Sequence, residues 1–134
     1  MLNVKKVVSI TICIIAVVAG SFGVKYLISV QQYKQAISNL RIDTINLSNI
    51  PDGKYTGSCD TGFVGAEVSV TVNDNKITDI TLLNHKNERG KPAEVIVQDV
   101  LKSQSLQVDT ISGATNSSKV ILKSIENALN SGKQ

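Results

Sequence analysis

One long apolar run dominates the start of the chain. Val7 to Val24 holds 18 residues without a charged side chain. A membrane-spanning helix needs about 20 apolar residues, and the run reaches that length if Lys25 extends its ammonium group to the membrane interface. We therefore predict a transmembrane anchor with a short cytoplasmic tail over residues 1–30. A cleaved signal peptide is the alternative, because Lys5 and Lys6 precede the apolar run.

Past the apolar run, the hydrophobic spacing becomes that of an amphipathic helix. One apolar stripe recurs at intervals of three or four residues: Tyr26, Val30, Tyr33, Ile37 and Leu40. The segment from Asn46 to Gly53 then combines Asn, Ser, Pro, Asp and Gly, which is typical of a linker that ends in a turn. We predict a juxtamembrane helical stalk and linker over 31–50 and a single domain over 51–134.

Within the domain, the hydrophobic period changes to two. Apolar residues alternate with polar ones at Val68, Val70 and Val72. This alternation predicts a half-buried strand with one wet face. A strand from Lys54 to Cys59 precedes it, and Ile80 and Leu82 resume the alternation after a polar turn. Ile77 is out of phase, which indicates a bulge or a place in the turn.

Two amphipathic helices follow the predicted strands. Pro92 is suited to a first helical position, and a stripe of apolar residues follows at Ala93, Ile96, Val97, Val100 and Leu101. A second stripe comprises Ile121, Ile125, Ala128 and Leu129. Between the helices, Leu106 to Thr110 is predicted to be extended. The order β-β-β-α-β-α predicts an α+β domain, a small and mostly antiparallel sheet with two helices on one face.

Charge excludes one broad class of function. The chain carries 14 Lys and Arg against 11 Asp and Glu. Its surplus lies in the first 25 residues, which hold Lys5, Lys6 and Lys25 and no acid, so residues 26–134 carry 11 basic and 11 acidic side chains and are neutral. Nucleic-acid binding requires a basic face, and we expect no nucleic-acid partner. Cys13 lies in the apolar run and Cys59 in the domain, so no disulfide is expected.

Candidate chemistry is concentrated in the turn before the last helix. Residues 112–118 read Ser-Gly-Ala-Thr-Asn-Ser-Ser and lead into a helix N-terminus, where unpaired N–H groups favour a phosphate. Gly113 permits close approach of the backbone, Ala114 keeps the site open, and Asp109 can accept hydrogen bonds from turn amides. From these residues alone, an ordinary helix start is the commoner explanation, because Ser/Thr-rich turns before helices usually serve as N-caps. No metal-ligand cluster or catalytic set is evident.

The same residues carry a family resemblance. Asp109 to Thr115, Asp-Thr-Ile-Ser-Gly-Ala-Thr, resembles the Asp-x-x-Ser/Thr-Gly-Ala-Thr flavinylation motif of the FMN-binding domain family. That family includes the C subunit of sodium-pumping NADH:quinone reductase and the G subunit of the Rnf complex. Asp52 to Gly57 resembles the opening strand of the family, and 84–94 resembles the segment before its first helix. The resemblance covers residues 50–131.

The resemblance implies a covalent cofactor. In such domains, the last Thr of the motif, here Thr115, carries FMN through a phosphoester that a separate Mg-dependent flavin transferase installs from FAD. We expect the surrounding cofactor contacts at Asp109, Ser112, Gly113, Ala114, Ser117 and Ser118. The ring of Tyr55, Phe63 or His85 is expected beside the flavin. Thr115→Ala is expected to abolish covalent flavin, whereas Ser118→Ala is expected to leave it.

A membrane-anchored, extracytoplasmic FMN protein that transfers electrons is the function these expectations favour. Its partners would be membrane electron donors and acceptors or a quinone-linked complex, and a carrier is favoured over a freestanding enzyme. One small domain on a short stalk departs from the large complex subunits. Two alternatives remain open: a cell-surface binding module without redox chemistry, and a flavin-dependent sensor or regulator of a membrane partner.

Overall fold

The computed structural model describes residues 3–87 and 89–133, and its contacts divide the chain between Gln35 and Ala36. Helix α1, Val4–Asn39, accounts for most of the first unit. Its apolar side chains are exposed along the predicted membrane run. The helix is long and apolar enough to cross a membrane, and a signal sequence shares those properties.

Three antiparallel strands form the sheet of the second unit. β1 is Gly53–Asp60, β2 is Gly65–Asn73 and β3 is Lys76–Lys86, with β2 in the centre. The alternating valines of β2 are buried, as their period predicts. A register shift at Thr71/Val72 pairs Ile77 with Val72, so the out-of-phase residue marks a bulge.

The helices follow the sheet in the chain. A 3₁₀ turn over Lys91–Val95 leads into α2, Ile96–Ser103, and α3 is Thr115–Ser131. α3 packs against β1 and β2, and α2 contacts β3 and α3. The predicted α+β fold with an N-terminal candidate membrane helix is confirmed.

One predicted element is wrong. The sheet has three strands among the described residues, and the segment predicted as a fourth strand, Leu106 to Thr110, does not join it. Serine side chains, rather than a neighbouring strand, bind the backbone at both ends of this segment. The Gln107 N–H donates to Ser105 Oγ, and the Ile111 N–H, just beyond the segment, donates to Ser118 Oγ. The alternation of Leu106 to Thr110 therefore does not reflect hydrogen bonding to a neighbouring strand.

The contact between α3 and β1 fixes the direction of the helix. Gly57 lies so close to α3 that a β-carbon there would overlap the backbone nitrogen of Ala128 and the carbonyl oxygen of Ser124. Tyr55, two residues earlier in β1, packs against Gly132 beyond the end of α3. β1 and α3 therefore run antiparallel. The N-terminus of α3 lies toward the end of the sheet where β1 finishes.

A buried carboxylate attaches the segment after α1 to the middle of α3. Glu126 is 2% exposed, and it accepts hydrogen bonds from the Asp43 N–H at 3.1 Å and from Lys123 Nζ at 2.9 Å. Lys123 Nζ also donates to the Arg41 carbonyl oxygen. The chain between α1 and the predicted linker is thus held to α3 by charge-assisted hydrogen bonds.

Candidate functional site

A β-turn immediately precedes the candidate acceptor. The Ala114 N–H donates to the Ile111 carbonyl oxygen at 2.9 Å, which closes the turn over residues 111–114. Gly113 occupies its third position with φ of 78°. A type II turn requires positive φ at this position, where a β-carbon would introduce strain. The glycine of the motif therefore has a conformational reason to be there.

Ser118 ties the two ends of this turn together. Its hydroxyl donates to the Ala114 carbonyl oxygen at 2.8 Å and accepts from the Ile111 N–H at 2.9 Å. The residue is 0% exposed. The Ser118 hydroxyl thus both donates and accepts a hydrogen bond inside the protein, and it is not accessible to a ligand.

Thr115 is the first residue of α3 and is exposed. The preceding N-cap residue is Ala114, whose side chain cannot bind the first amides of the helix as a Ser or Asp would. The first turn contains no acidic residue. An exposed hydroxyl therefore stands at a helix N-terminus whose N-cap side chain and first turn leave room for an anion. Those features fit a bound phosphate ester.

The other predicted phosphate contacts differ in accessibility. Ser112 and Gly113 are exposed, whereas Ser117 is 3% exposed. A β-carbon at Gly90 would overlap the Ser117 hydroxyl, so the loop before α2 lies directly on the first turn of α3. Asp109 is exposed, and within the described structure it makes no hydrogen bond to the turn amides. Ser118 performs the turn-fixing role that the sequence suggested for Asp109.

His85 lies on the inner face of β3, paired with Ala66 of β2. Its side chain is 3% exposed, and Nδ1 lies 3.0 Å from Glu94 Oε1. Nε2 is buried and has no hydrogen-bond partner in the part of the chain that the structure describes. The Glu94 carboxylate favours the tautomer with a proton on Nδ1. Nε2 is then an acceptor that a bound group could satisfy.

Asn87 connects the His85 cluster to the loop before α2. Its Oδ1 accepts from the Gly90 N–H at 3.1 Å, and its Nδ2 donates to the His85 carbonyl oxygen at 3.3 Å. Since Gly90 rests on Ser117, these contacts bring the His85 segment to the first turn of α3. Glu94 and Asn87 were not expected from the sequence to be partners of His85. Neither lies at a spacing that predicts such contacts.

Tyr55 is not brought to the motif. It packs at the opposite end of α3, where its hydroxyl donates to the Pro51 carbonyl oxygen at 2.6 Å. The 17 residues of α3 separate the two helix ends by about 25 Å at roughly 1.5 Å per residue. Phe63, in the β1–β2 loop, lies at the end of the sheet toward which the N-terminus of α3 points, and it is half-buried.

Cys59 lies on the same inner face as His85, opposite Ala66. Burial raises the pKa of the Cys59 thiol, and Asp60 adds to that effect while Lys123 opposes it. The thiol is therefore protonated at neutral pH, and it behaves as a small apolar group rather than as a nucleophile.

A family model for the FMN-binding domain matches residues 62–130, slightly more than half of the chain. The chain belongs to the FMN-binding domain family. The match includes the turn, Thr115 and nearly all of α3. This membership confirms the resemblance that the motif suggested.

A curated relative adds a redox context. Over 102 residues the chain is 36% identical to an NADH:acrylate oxidoreductase from Vibrio harveyi, an alignment that covers 71% of this chain. The chain spans 10% of the length of that relative. The similarity therefore concerns one segment of a much larger protein.

Proposed function

We propose that this FMN-binding domain is a membrane-anchored electron-transfer module that carries FMN as a phosphoester on Thr115. The observation that carries the proposal is the exposed Thr115 at the N-terminus of α3, where the N-cap residue Ala114 makes no side-chain hydrogen bond. Bound flavin supplies the redox chemistry, and the protein supplies attachment and orientation. The similarity to an oxidoreductase supports a redox role.

Burial supports the choice of Thr115 over neighbouring hydroxyls. Ser117 and Ser118 are 3% and 0% exposed, so a phosphoester on either would require the first turn of α3 to open. Thr110, Ser112 and Thr115 are exposed. Of these three, only Thr115 belongs to the helix whose amides and dipole favour a phosphate. The proposed attachment thus follows from accessibility and local electrostatics together.

We propose that α1 anchors the domain and that the domain lies outside the cytoplasm. Its length and apolar surface support the anchor. Lys5 and Lys6, which precede the apolar run, support a cytoplasmic position for that side of the helix. A covalent bond suits this location, because a dissociable cofactor would be lost by dilution. A flavin transferase is the partner that maturation requires, and membrane redox proteins are the proposed donor and acceptor.

Co-expression with a flavin transferase tests the attachment. We expect the wild-type chain to fluoresce as a flavoprotein on a denaturing gel, and Thr115→Ala to lose that fluorescence entirely. Thr110→Ala is the matched control, because it removes another exposed hydroxyl close to the motif. Fluorescence that survives in Thr115→Ala would contradict the proposal.

A further inference from the structure

Ser118 has a place in the site that the motif itself does not describe. The flavinylation motif ends at Thr115, and Ser118 lies one helical turn later in α3. Its hydroxyl is 0% exposed, so it is not available for phosphate attachment. Its two hydrogen bonds instead join the first and last residues of the turn over 111–114.

This pair of hydrogen bonds has a specific mechanical effect. The Ile111 N–H lies at the start of the turn and the Ala114 carbonyl oxygen at its end. Ser118 Oγ binds both groups. The Ser118 N–H also donates to the Ala114 carbonyl oxygen at 2.9 Å, which starts the helical hydrogen bonding of α3. The turn that immediately precedes Thr115 is therefore held at both of its ends by a single residue.

In the same arrangement, the N-cap residue of α3 makes no side-chain hydrogen bond to the start of the helix. A Ser or Asp at the N-cap would occupy the amides of the second or third helical residue. Here the N-cap is Ala114, and the serine hydroxyl that stabilises the turn comes from inside the helix. The turn is thus stabilised without an N-cap side chain over the surface where a phosphate would bind.

From this geometry we propose that Ser118 is a positioning residue for flavin attachment, an inference that rests on the proposed function. In the transfer, the Thr115 oxygen bonds to the FMN phosphorus of FAD, the bond from that phosphorus to the AMP oxygen breaks, and AMP leaves. The hydroxyl proton passes to solvent. Ser118 holds the turn so that the Thr115 hydroxyl meets the phosphorus in a fixed position, and it touches neither reactant.

Ser124 provides a matched control within the same helix. It is also 0% exposed, and its hydroxyl donates to the Ile121 carbonyl oxygen at 2.6 Å. It lies beside Gly57, away from the turn. Ser118→Ala and Ser124→Ala each remove one buried hydroxyl from α3, and only the first releases residues 111–114.

The experiment measures the initial rate of covalent flavin incorporation into the full chain in detergent, with a purified transferase, FAD and Mg²⁺. We expect Ser118→Ala to lower the maximal rate roughly tenfold, the effect of losing one fixed hydrogen-bond geometry. Attachment remains at Thr115, and Ser124→Ala keeps a rate near that of the wild type. Ser118→Thr retains the hydroxyl and restores the rate. A normal rate in Ser118→Ala, or equally slow Ser118→Thr, would overturn the inference.

Hydrogen exchange of the wild-type chain gives a second readout that needs neither flavin nor a folded variant. The Ile111 amide should exchange much more slowly than the exposed amides of Ser112 and Gly113, because it donates to a buried oxygen. Equal exchange of all three would overturn the positioning role. Absence of flavin from Thr115 in the wild type would instead overturn the proposed function.

Discussion

The two ends of α3 use glycine for opposite reasons. Near its C-terminal half, Gly57 of β1 supplies space, because the helix backbone occupies the volume a side chain would need. At its N-terminus, a β-carbon on Gly113 would meet no atom of the described residues within 4 Å, and the φ of 78° is what requires glycine. One end is packed against the sheet, and the other is a turn with positive φ at Gly113 that is open to solvent. The open end is where a ligand can approach.

This contrast explains how a small domain supports an exposed attachment site. The packed end is the firm contact between helix and sheet, so the first turn of α3 can be left without a side-chain cap. The lack of an N-cap side-chain hydrogen bond costs about 1 kcal/mol of stability. A phosphate bound at the same helix N-terminus would offset that cost. The packing that stabilises the domain and the proposed attachment site thus lie at different ends of the same helix.

Gly57→Ala should break the packed end and have the largest effect on stability. The new methyl group overlaps backbone atoms of Ser124 and Ala128, which no rotamer change can relieve. We expect a loss of about 3 kcal/mol in the free energy of unfolding, measured by urea unfolding followed by circular dichroism. Ser58→Ala, in the same strand with an exposed side chain, is the control and should change it by less than about 0.5 kcal/mol. Equal losses would mean that the contact is loose.

Gly113→Ala should disturb the open end with a smaller loss. Its backbone conformation is disfavoured for residues with a β-carbon, which costs about 1 kcal/mol. Asn tolerates positive φ better than Ala, so Gly113→Asn should lose less free energy of unfolding than Gly113→Ala. The same unfolding experiment measures both. A larger loss for Asn would show that crowding, rather than φ, selects glycine here.

Tyr55→Phe should have the smallest effect of the three substitutions, and it tests whether the two ends of α3 are independent of each other. It removes the hydroxyl that donates to the Pro51 carbonyl oxygen, and we expect a loss of about 0.5 kcal/mol in the free energy of unfolding. The visible spectrum of attached flavin should stay unchanged, because Tyr55 packs near the far end of α3. A shifted flavin spectrum in Tyr55→Phe would contradict the separation and restore Tyr55 as a candidate beside the ring.

The sequence predicted the elements whose hydrophobic period is regular, and less of what connects them. The valines of β2 identified a strand with one buried face, and the apolar stripe from Ile121 identified α3. Leu106 to Thr110 alternates like a strand but lies outside the sheet, because alternation reports one-sided burial and not pairing. Its serine partners are set by tertiary contacts that no local pattern encodes.

The candidate site shows the same limit at the level of single residues. The motif predicted Thr115 as the acceptor through family resemblance, and its exposure is consistent with that role. The sequence did not show which hydroxyl is accessible, that of Ser112 within the motif or that of Ser118 three residues after it. Only the fold shows that Ser118 is buried and bonded to the turn while Ser112 is exposed. Hydrogen bonding from Ser to the carbonyl oxygen four residues earlier is common in helices, but its second bond to Ile111 depends on the turn.

Peptide mapping of the flavin tests the central claim most directly. Trypsin cleaves after Lys102 and Lys119, so one peptide, 103–119, carries all the candidate hydroxyls of the motif region. From wild-type chain matured by a flavin transferase, we predict this peptide with the added mass of one FMN phosphoryl group. Fragment ions should assign that mass to Thr115. An unmodified peptide, or FMN assigned to Ser112 or any other residue, would contradict the account.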